Sequence, residues 1–257
     1  MSPIGRFFGS ARGREAAPLD PPRPARLTYA IGDIHGMYGL LGEMRAAIQE
    51  DAGSAPHDIV FLGDYVDRGP HSRRVLTDLM DFEQSASHVV CLRGNHDQAL
   101  LDFLDAPAAN AHWLSWGGQE TAASFGVFGL AGGGSLTERL ERMGAAMSSA
   151  VDPALRDWVA DRPLWWRSGS LVAVHGLTRP TIPMEQQDAE TLLWARPGRD
   201  LAPRDDGAWV VHGHTIVPNP LVRAGHISID TGAFRGGPLT AAVIEPDVEP
   251  RFLQVGT

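Results

Sequence analysis

The sequence contains one cysteine, no lysine and no long apolar run. Cys91 lies in a short apolar segment and has no partner for an internal disulfide, so we expect a small buried residue, compatible with a reducing compartment. No segment approaches the roughly 18 apolar residues that a membrane-spanning helix needs, and the N-terminus lacks the apolar segment of a signal peptide. We therefore expect a cytoplasmic protein that does not bind membranes.

Positive charge is also scarce. The chain has 22 basic and 31 acidic residues, which gives a net charge of −9 and argues against a nucleic-acid-binding surface. Every basic residue is arginine, and we attribute this mainly to genomic base composition, because replacement of lysine by arginine is an unreliable sign of thermostability.

The chain of 257 residues fits one large α/β domain or two small ones. One domain over residues 27–257 is favoured, because related motifs recur along this whole stretch. Residues 1–26 carry five arginines and five prolines with little apolar periodicity, so we expect a disordered or loosely docked tail. The alternative is a docking peptide that uses Phe7, Phe8 and the arginines.

Five short apolar runs, each bounded by glycine or polar residues, predict buried strands. They begin the segments Leu27 to Gly36, Asp58 to Gly69, His88 to Asp97, Ser170 to Gly176 and Ala208 to Thr215. In open α/β sheets ligands bind at the carboxyl ends of the strands. We expect that edge to carry the polar side chains that follow the runs, which are Asp33, His35, Asp64, Asp67, Asn95, His96, His175, His212 and His214.

The elements between these runs set the expected topology. Helical periodicity follows each of the first three runs, which predicts three successive β-α units and a largely parallel sheet. Residues 106–162 are expected to form a helical cap inserted after the third strand. The segment LWWRSGSLVAV predicts a hairpin, and the later runs are expected to continue it as an antiparallel meander.

The motifs GDIHG, GDYVDRG and GNHD, about 30 residues apart and followed by a strand-end histidine and GHT, resemble those of the metallo-dependent phosphatase superfamily. Within it they resemble the phosphoprotein phosphatase branch, and the compact length is similar to that of the bacteriophage lambda phosphatase and its bacterial relatives. The resemblance covers residues 27–255. It implies an α/β fold of two mixed sheets packed as a sandwich with flanking helices.

The same resemblance implies two divalent metal ions. The first would be bound by Asp33 and His35, and Asp64 would bridge both ions. The second would be bound by Asn95, His175 and His214, where His214 is chosen because the family's ligand is the histidine of GHT. His212 remains either a neighbour of the ligands, or a direct ligand, or a hydrogen-bonded strand residue. Oxygen and nitrogen ligands without a thiolate favour manganese, with iron or zinc as alternatives.

By the same resemblance, His96 and Asp67 are the proton-transfer pair. Arg68 and Arg196 would hold phosphoryl oxygens, together with Asn95. Arg196 rests on the looser match of the LLWAR segment, and the other interpretation is an exposed arginine after a helix. Asp230 could be either a turn former at a strand end or a partner of the metal ligands.

These implications favour a metal-dependent phosphomonoesterase that acts on phosphoproteins, with a metal-activated hydroxide as nucleophile. Phosphoserine and phosphothreonine are preferred over phosphotyrosine as substrates, and small phosphoesters are possible ones. A dinucleoside polyphosphate hydrolase of the same superfamily is the alternative, but that branch typically lacks the aspartate that stands here as Asp67. A catalytically inactive adaptor would show a broken ligand set, and every ligand position is intact.

Overall fold

The computed structural model describes residues 19–130, 132–198 and 201–256, whose strands form two five-stranded sheets. The first sheet contains β1 (Leu27–Ile31), β2 (His57–Phe61), β3 (Val89–Cys91), β9 (Leu239–Ile244) and β10 (Arg251–Val255). The second contains β4 (Trp165–Ser168), β5 (Leu171–Val174), β6 (Trp209–His212), β7 (Leu221–Arg223) and β8 (His226–Ser228). Their strand orders are β10-β9-β1-β2-β3 and β4-β5-β6-β8-β7.

The three predicted β-α units are confirmed. β1 pairs in parallel with β2, and β2 pairs in parallel with β3. The helices that follow them are α1 (Tyr38–Ala52), α2 (Ser72–Ser85) and α3 (Asn95–Asp105). In α2 the buried positions Val75, Leu76 and Leu79 form one face, which explains why the helix packs on the sheet.

Alternation along the strands confirms the predicted sandwich. In β1, Tyr29 and Ile31 belong to the core between the first sheet and its helices, whereas Ala30 belongs to the core between the two sheets. That second core also contains Val60 of β2 and Ile227 of β8. Since successive side chains of a strand point to opposite faces, strands of the first sheet contribute side chains to both cores.

The segment between β3 and β4 is helical. It contains a 3₁₀ helix (Ala111–Trp116), α4 (Gly118–Ser124), α5 (Leu136–Ala150) and α6 (Pro153–Ala160). Asp152 caps α6, because its side chain accepts a hydrogen bond from the Ala154 N–H at 2.8 Å. These helices pack against α2 and α3, so they thicken the helical layer outside the first sheet.

The predicted antiparallel meander in the C-terminal half is wrong for β6 and β8, whereas β9 and β10 pair antiparallel as expected. The β4–β5 hairpin is antiparallel as expected, but β6 pairs in parallel with β5, and β8 pairs in parallel with β6. The last two strands then leave this sheet, and β9 pairs antiparallel with β1 in the first one. The longer connections before β6 and β8 carry the chain back across the sheet, which allows parallel pairing.

Part of the expected N-terminal tail is docked. The Arg23 N–H donates to Ser170 Oγ at 2.8 Å, and the Ala25 N–H donates to Ser168 Oγ at 2.8 Å. The Trp209 indole N–H donates to the carbonyl of Asp20 at 2.9 Å. For residues 19–26 the expectation of disorder is therefore corrected, because these residues satisfy polar groups beside the second sheet. The proposed docking role of Phe7 and Phe8 lies outside the described residues.

We expect the inter-sheet core to be sensitive to truncation. Ile227 is fully buried there, so Ile227→Ala should lower the free energy of unfolding by about 2–5 kcal/mol, through lost burial and the remaining cavity. Leu221 on the adjacent strand is 45% exposed, and Leu221→Ala should change it by no more than about 0.5 kcal/mol. Urea unfolding of both variants tests this, and equal losses would contradict it.

Candidate metal centre and active site

The candidate site lies where strands of both sheets end. Asp33 follows β1 by two residues, Asp64 follows β2 by three, and His175 directly follows β5. His35 follows β1 by four residues. The start of α3 and the loop after β6 contribute the other predicted ligands and the proton-transfer histidine, which are Asn95, His96 and His214. The strand ends therefore meet as the sequence predicts.

The backbone at this edge is strained. Seven non-glycine residues in the described part of the chain have a positive φ, and five of them lie in the site. Such a conformation costs about 1–3 kcal/mol per residue and persists only where surrounding contacts impose it. Here it turns polar side chains inward at His35 (45°), Asp64 (55°), Asp67 (73°), Arg68 (68°) and His214 (61°).

Two glycines make room for the carboxylates. A Cβ atom at Gly94 would overlap the backbone nitrogen and Oδ1 of Asp64. A Cβ atom at Gly213 would overlap Oδ1 of Asp33. The glycines of GNHD and GHT are thus required because the backbone approaches a carboxylate closely at both positions.

The first group of donor atoms surrounds His35. Its Nε2 lies 3.5 Å from Asp64 Oδ2 and 3.9 Å from Asp33 Oδ2. His96 Nε2 lies 4.0 Å from the same Asp64 oxygen, so His96 borders this group as well as the proton-transfer pair. The tightest metal-competent set at this position is His35, Asp64 and His96, with Asp33 at its edge.

The second group surrounds His175. Its Nε2 lies 3.3 Å from Asp64 Oδ1 and 2.8 Å from Asn95 Oδ1. The ring of His214 lies 5.1 Å from the ring of His175, and Asp64, His175 and His214 form a second metal-competent set. Asp64 thus offers one carboxylate oxygen to each group, which is the arrangement needed for a bridging ligand.

The chemistry of these donors fits divalent cations. The Nδ1–H of His35 donates to the Val66 carbonyl at 2.7 Å, and that of His175 donates to the Leu62 carbonyl at 3.0 Å. Each Nε2 therefore carries a lone pair. That of His175 faces oxygens of Asp64 and Asn95, whereas that of His35 faces Asp64 and also accepts from the Arg68 guanidinium. Hydrogen bonding of the distal nitrogen to a carbonyl is typical of metal-binding histidines.

Burial keeps the three predicted ligand histidines neutral. It lowers the pKa of His35 to about 3 and the pKa of His214 to about 3, and it also lowers the pKa of His175. Burial acts to raise the pKa of Asp64, but the nearby imidazoles and the His96 N–H outweigh it and hold that pKa below its usual value. Neutral imidazoles and an ionised carboxylate are the forms that bind metal.

His96 and Asp67 form a buried pair. His96 Nδ1 lies 2.6 Å from Asp67 Oδ2. Burial acts to lower the pKa of His96, but the carboxylates of Asp64 and Asp67 outweigh it and raise that pKa above its usual value. Burial raises the pKa of Asp67. His96 is therefore the one histidine of the site that is biased toward its protonated form.

Two residues that sequence reasoning missed hold this pair in place. The Trp113 indole N–H donates to Asp67 at 3.0 Å from Oδ2, and the Thr121 hydroxyl donates to Oδ1 at 2.7 Å. Both residues come from the helical segment after α3. The only sequence signal was the indole N–H and the hydroxyl themselves, which need a partner when buried but do not identify it.

Asp97 is a third residue that the sequence did not single out. Its carboxylate accepts the backbone N–H groups of Asp64 at 2.8 Å, Tyr65 at 3.0 Å and Gly94 at 2.9 Å. Burial, followed by repulsion from Asp64, raises its pKa to about 7. Asp97 ties the loop after β2 to the start of α3, and these are the two segments that carry Asp64 and Asn95.

Arg68 and Arg196 both reach the site. The guanidinium of Arg68 lies 2.7 Å from His35 Nε2 and 2.8 Å from His96 Nε2. A protonated His96 has no lone pair for Arg68, so this contact and the acidic form of His96 exclude each other. Arg196 is exposed, yet its Nε lies 3.3 Å from His214 Nε2, which places it at the edge of the second group.

His212 lies apart from both metal-competent sets of the described residues. Its Nδ1 lies 3.1 Å from the Gly213 carbonyl, and its Nε2 lies 2.9 Å from Ser228 Oγ. Burial lowers its pKa to about 4. The structure therefore favours the interpretation of His212 as a hydrogen-bonded strand residue.

An open cavity of about 590 Å³ lies beside Arg68. The half-buried rings of Trp116 and Phe234 and the exposed guanidinium of Arg235 contribute to its lining. The guanidinium carbon of Arg68 lies 4.4 Å from the centre of the Phe234 ring, so a cation and an aromatic face meet in the lining of the cavity.

Buried carboxylate and imidazole groups at the joined ends of two sheets, with arginines beside them, define a phosphoesterase hydrolase. The model of the calcineurin-like phosphoesterase family matches residues 27–218, and the chain belongs to this family. This family uses divalent metals, and the two metal-competent sets lie within the matched residues. No helix among the described residues has the length and hydropathy required to span a membrane.

Relatives that are named for different substrates are about equally similar to this chain in sequence. The chain is 28% identical over 243 residues to the asymmetrical bis(5'-nucleosyl)-tetraphosphatase PrpE of Halalkalibacterium halodurans, covering 85% of this chain and 90% of that protein. It is 29% identical over 232 residues to serine/threonine-protein phosphatase 1 of Salmonella typhimurium, covering 86% and 93%. The metallophosphoesterase structure from Sphaerobacter thermophilus has a TM-score of 0.54 at 19% identity, over 90% and 88% of the chains.

We expect Asp64→Asn to weaken cation binding at both positions, because only this carboxylate offers an oxygen to each group. Metal content after dialysis against manganese, measured by atomic emission, should fall well below that of the wild type. Asp78→Asn, which removes a carboxylate 2.6 Å from Arg45 on the outer helices, is the matched control and should retain full content. Full occupancy of both positions in Asp64→Asn would contradict the bridging role.

Proposed function

We propose that this protein is a metal-dependent phosphomonoesterase that removes phosphate from phosphoserine and phosphothreonine in proteins. The observation that supports this most directly is the buried pair of His96 and Asp67, 2.6 Å apart, at the edge of the first donor group. A serine alkoxide is a poor leaving group and needs a proton when the ester bond breaks. A histidine with a raised pKa, oriented by a carboxylate, is suited to supply it.

The residues of the two donor groups would hold two divalent cations, most consistently manganese, with iron and zinc as alternatives. The proposed ligands are Asp33, His35, Asp64, Asn95, His175 and His214. When bound, such cations supply Lewis acidity and lower the pKa of a coordinated water. The chain itself contributes fixed ligand geometry, because Asp97 ties the loop that carries Asp64 to the start of α3, which carries Asn95.

The arginines would bind the phosphoryl group. Arg68 reaches both His35 and His96, and Arg196 reaches His214, so the two guanidinium groups border both donor groups. Guanidinium groups bind phosphoryl oxygens in a bidentate manner, and Asn95 adds a polar contact beside them. When a phosphoryl oxygen accepts the hydrogen bonds of Arg68, His96 no longer needs to accept one and can act as an acid.

Hydrolysis of dinucleoside polyphosphates is the second candidate. The cavity beside Arg68 favours it, because the rings of Trp116 and Phe234 offer flat surfaces for a base and Arg235 offers a positive charge for further phosphates. Two relatives that match over most of their length are named as tetraphosphatases. However, a phosphate anhydride departs as a stable anion and needs little protonation, so this chemistry would not require the His96–Asp67 pair.

Other expectations from the sequence stay predictions. We propose that residues 27–257 form a single domain, with residues 106–162 as its helical insert. We also propose that the protein acts in the cytoplasm and that its partners are phosphoproteins or small phosphoesters, without binding to nucleic acid or membranes.

We expect His96→Asn to act selectively on substrates with poor leaving groups. Turnover of a phosphoserine peptide should fall by about 10²–10⁴-fold, because the general acid is lost. Turnover of p-nitrophenyl phosphate should fall much less, since its phenolate leaves without protonation. The measurement is kcat for both substrates at equal metal content, with chemistry shown to be rate-limiting.

His88→Asn is the control for this comparison, since His88 precedes β3 at the end opposite the site, and it should leave both rates unchanged. Equal losses on both substrates in His96→Asn would mean that His96 positions the phosphoryl group and is not the acid. Diadenosine tetraphosphate serves as the third substrate. If wild-type kcat/KM for it exceeds that for every phosphopeptide tested, the second candidate function replaces the first.

Arg196→Lys tests whether the Arg196 guanidinium binds the phosphoryl group. The lysine keeps the charge but loses the planar fork, so kcat/KM and inhibition by orthophosphate should weaken together, by about 1–3 kcal/mol for a lost charge-assisted contact. Arg223→Lys, on the exposed edge strand β7, is the control and should alter neither constant. Changes below twofold in both constants would identify Arg196 as an exposed residue without contact to substrate.

A further inference from the structure

Asp230 is a buried carboxylate beside the proposed metal centre that has no assigned role there. It lies two residues after β8 and is 2% exposed. Its Oδ1 accepts the Gly232 N–H at 2.9 Å, and its backbone carbonyl accepts the Val217 N–H at 2.9 Å. The side chain is therefore held in one orientation by a turn, as one of the two sequence interpretations expected.

The other carboxylate oxygen is unsatisfied. Across residues 19–130, 132–198 and 201–256, no donor lies within hydrogen-bonding distance of Asp230 Oδ2, although this atom is buried. A buried carboxylate oxygen without a donor is costly, and buried polar atoms in folded proteins nearly always have partners. A turn former needs only Oδ1, so the turn does not explain why the second oxygen is buried.

The backbone places Asp230 next to the first donor group. Gly32, which directly precedes Asp33, packs so closely on this segment that an added Cβ would lie 2.8 Å from the Ile229 carbonyl and 3.6 Å from the Asp230 nitrogen. Asp230 acts electrostatically on Asp33, and Asp64 acts on Asp230. These three buried carboxylates repel one another, and Arg68, which acts on both Asp33 and Asp230, offsets part of this repulsion. A bound divalent cation would offset more of it.

We propose that Asp230 is a positioning residue of the first cation position, where its free Oδ2 binds the hydration shell of the cation held by Asp33, His35 and Asp64. This inference rests on the proposed metal centre. Direct ligation by Asp230 is not required, because Asp33, His35 and Asp64 already supply the proposed ligands of this position. Carboxylates that bind metal ligands from outside typically strengthen metal affinity about 10–100-fold.

The test uses Asp230→Asn in the full-length protein. Asparagine keeps an oxygen for the Gly232 N–H but removes the charge and the free acceptor. Titration of metal-free protein with manganese chloride, followed by electron paramagnetic resonance of free Mn²⁺, should show one of the two cation positions losing affinity by about 10–100-fold while the other is unchanged. The melting temperature without metal should be unchanged or higher, because repulsion from Asp33 and Asp64 is relieved, and its rise on manganese addition should be smaller.

Thr231→Val is the matched control on the same turn. Its hydroxyl donates to the Pro238 carbonyl at 2.7 Å, so this variant weakens the turn without altering the carboxylates. It should lower the melting temperature and leave manganese affinity unchanged. Asp230→Ser, which keeps a shorter acceptor for the turn, replaces Asp230→Asn if that variant does not fold.

The outcomes separate this inference from the proposed function. Wild-type affinity for manganese in Asp230→Asn, with normal metal binding by the wild type, overturns the role of Asp230 alone and leaves it as a turn former. Absence of manganese binding by the wild type overturns the metal centre itself, and the inference with it. A lower affinity in Asp230→Asn but not in Thr231→Val supports the inference.

Discussion

The carboxylate of Asp64 is the interaction on which the rest of the site depends. It is 1% exposed and offers one oxygen to the His35 group and the other to the His175 group. Its own backbone is held on both sides, because its carbonyl accepts the His35 N–H at 2.8 Å and its N–H donates to Asp97. A left-handed backbone at this residue is tolerated only because these contacts fix it. The strained backbone of Asp64 lowers stability locally, but it places one negative charge between the neutral imidazoles of His35 and His175.

The helical segment between β3 and β4 is part of the same arrangement. It supplies Trp113 and Thr121, whose donors satisfy both oxygens of Asp67. With these oxygens satisfied, the orientation of Asp67 toward His96 is fixed before any substrate binds. The 3₁₀ helix that carries Trp113 also ends in Trp116, which lines the cavity beside Arg68. This 3₁₀ helix therefore both helps to orient the proposed acid and forms part of the surface that a leaving group would contact.

The donor groups do not distinguish between the two proposed classes of substrate. The ligand side chains are compatible with phosphomonoesters and with phosphate anhydrides, and relatives named for either substrate are similar to nearly the same extent. What differs between these reactions is the protonation that the leaving group needs and the surface that holds the remainder of the substrate. In this chain those features are the His96–Asp67 pair and the aromatic cavity with Arg235. They favour different substrates, so rates on both classes are more informative than further sequence comparison.

The sequence by itself determined the three β-α units, the hairpin and the residues delivered to the strand ends, because short apolar runs, helical periodicity and GDIHG, GDYVDRG and GNHD are local patterns. It did not determine the pairing of β6 and β8, since periodicity carries no information about strand direction. Nor did it indicate Trp113, Thr121 or Asp97 as supports of the site. Their roles depend on hydrogen bonds between segments that only the tertiary structure brings together. Asp67 and Trp113, for example, are 46 positions apart in the sequence. The position of Asp230 beside Asp33 was likewise decided by the packing of two sheets.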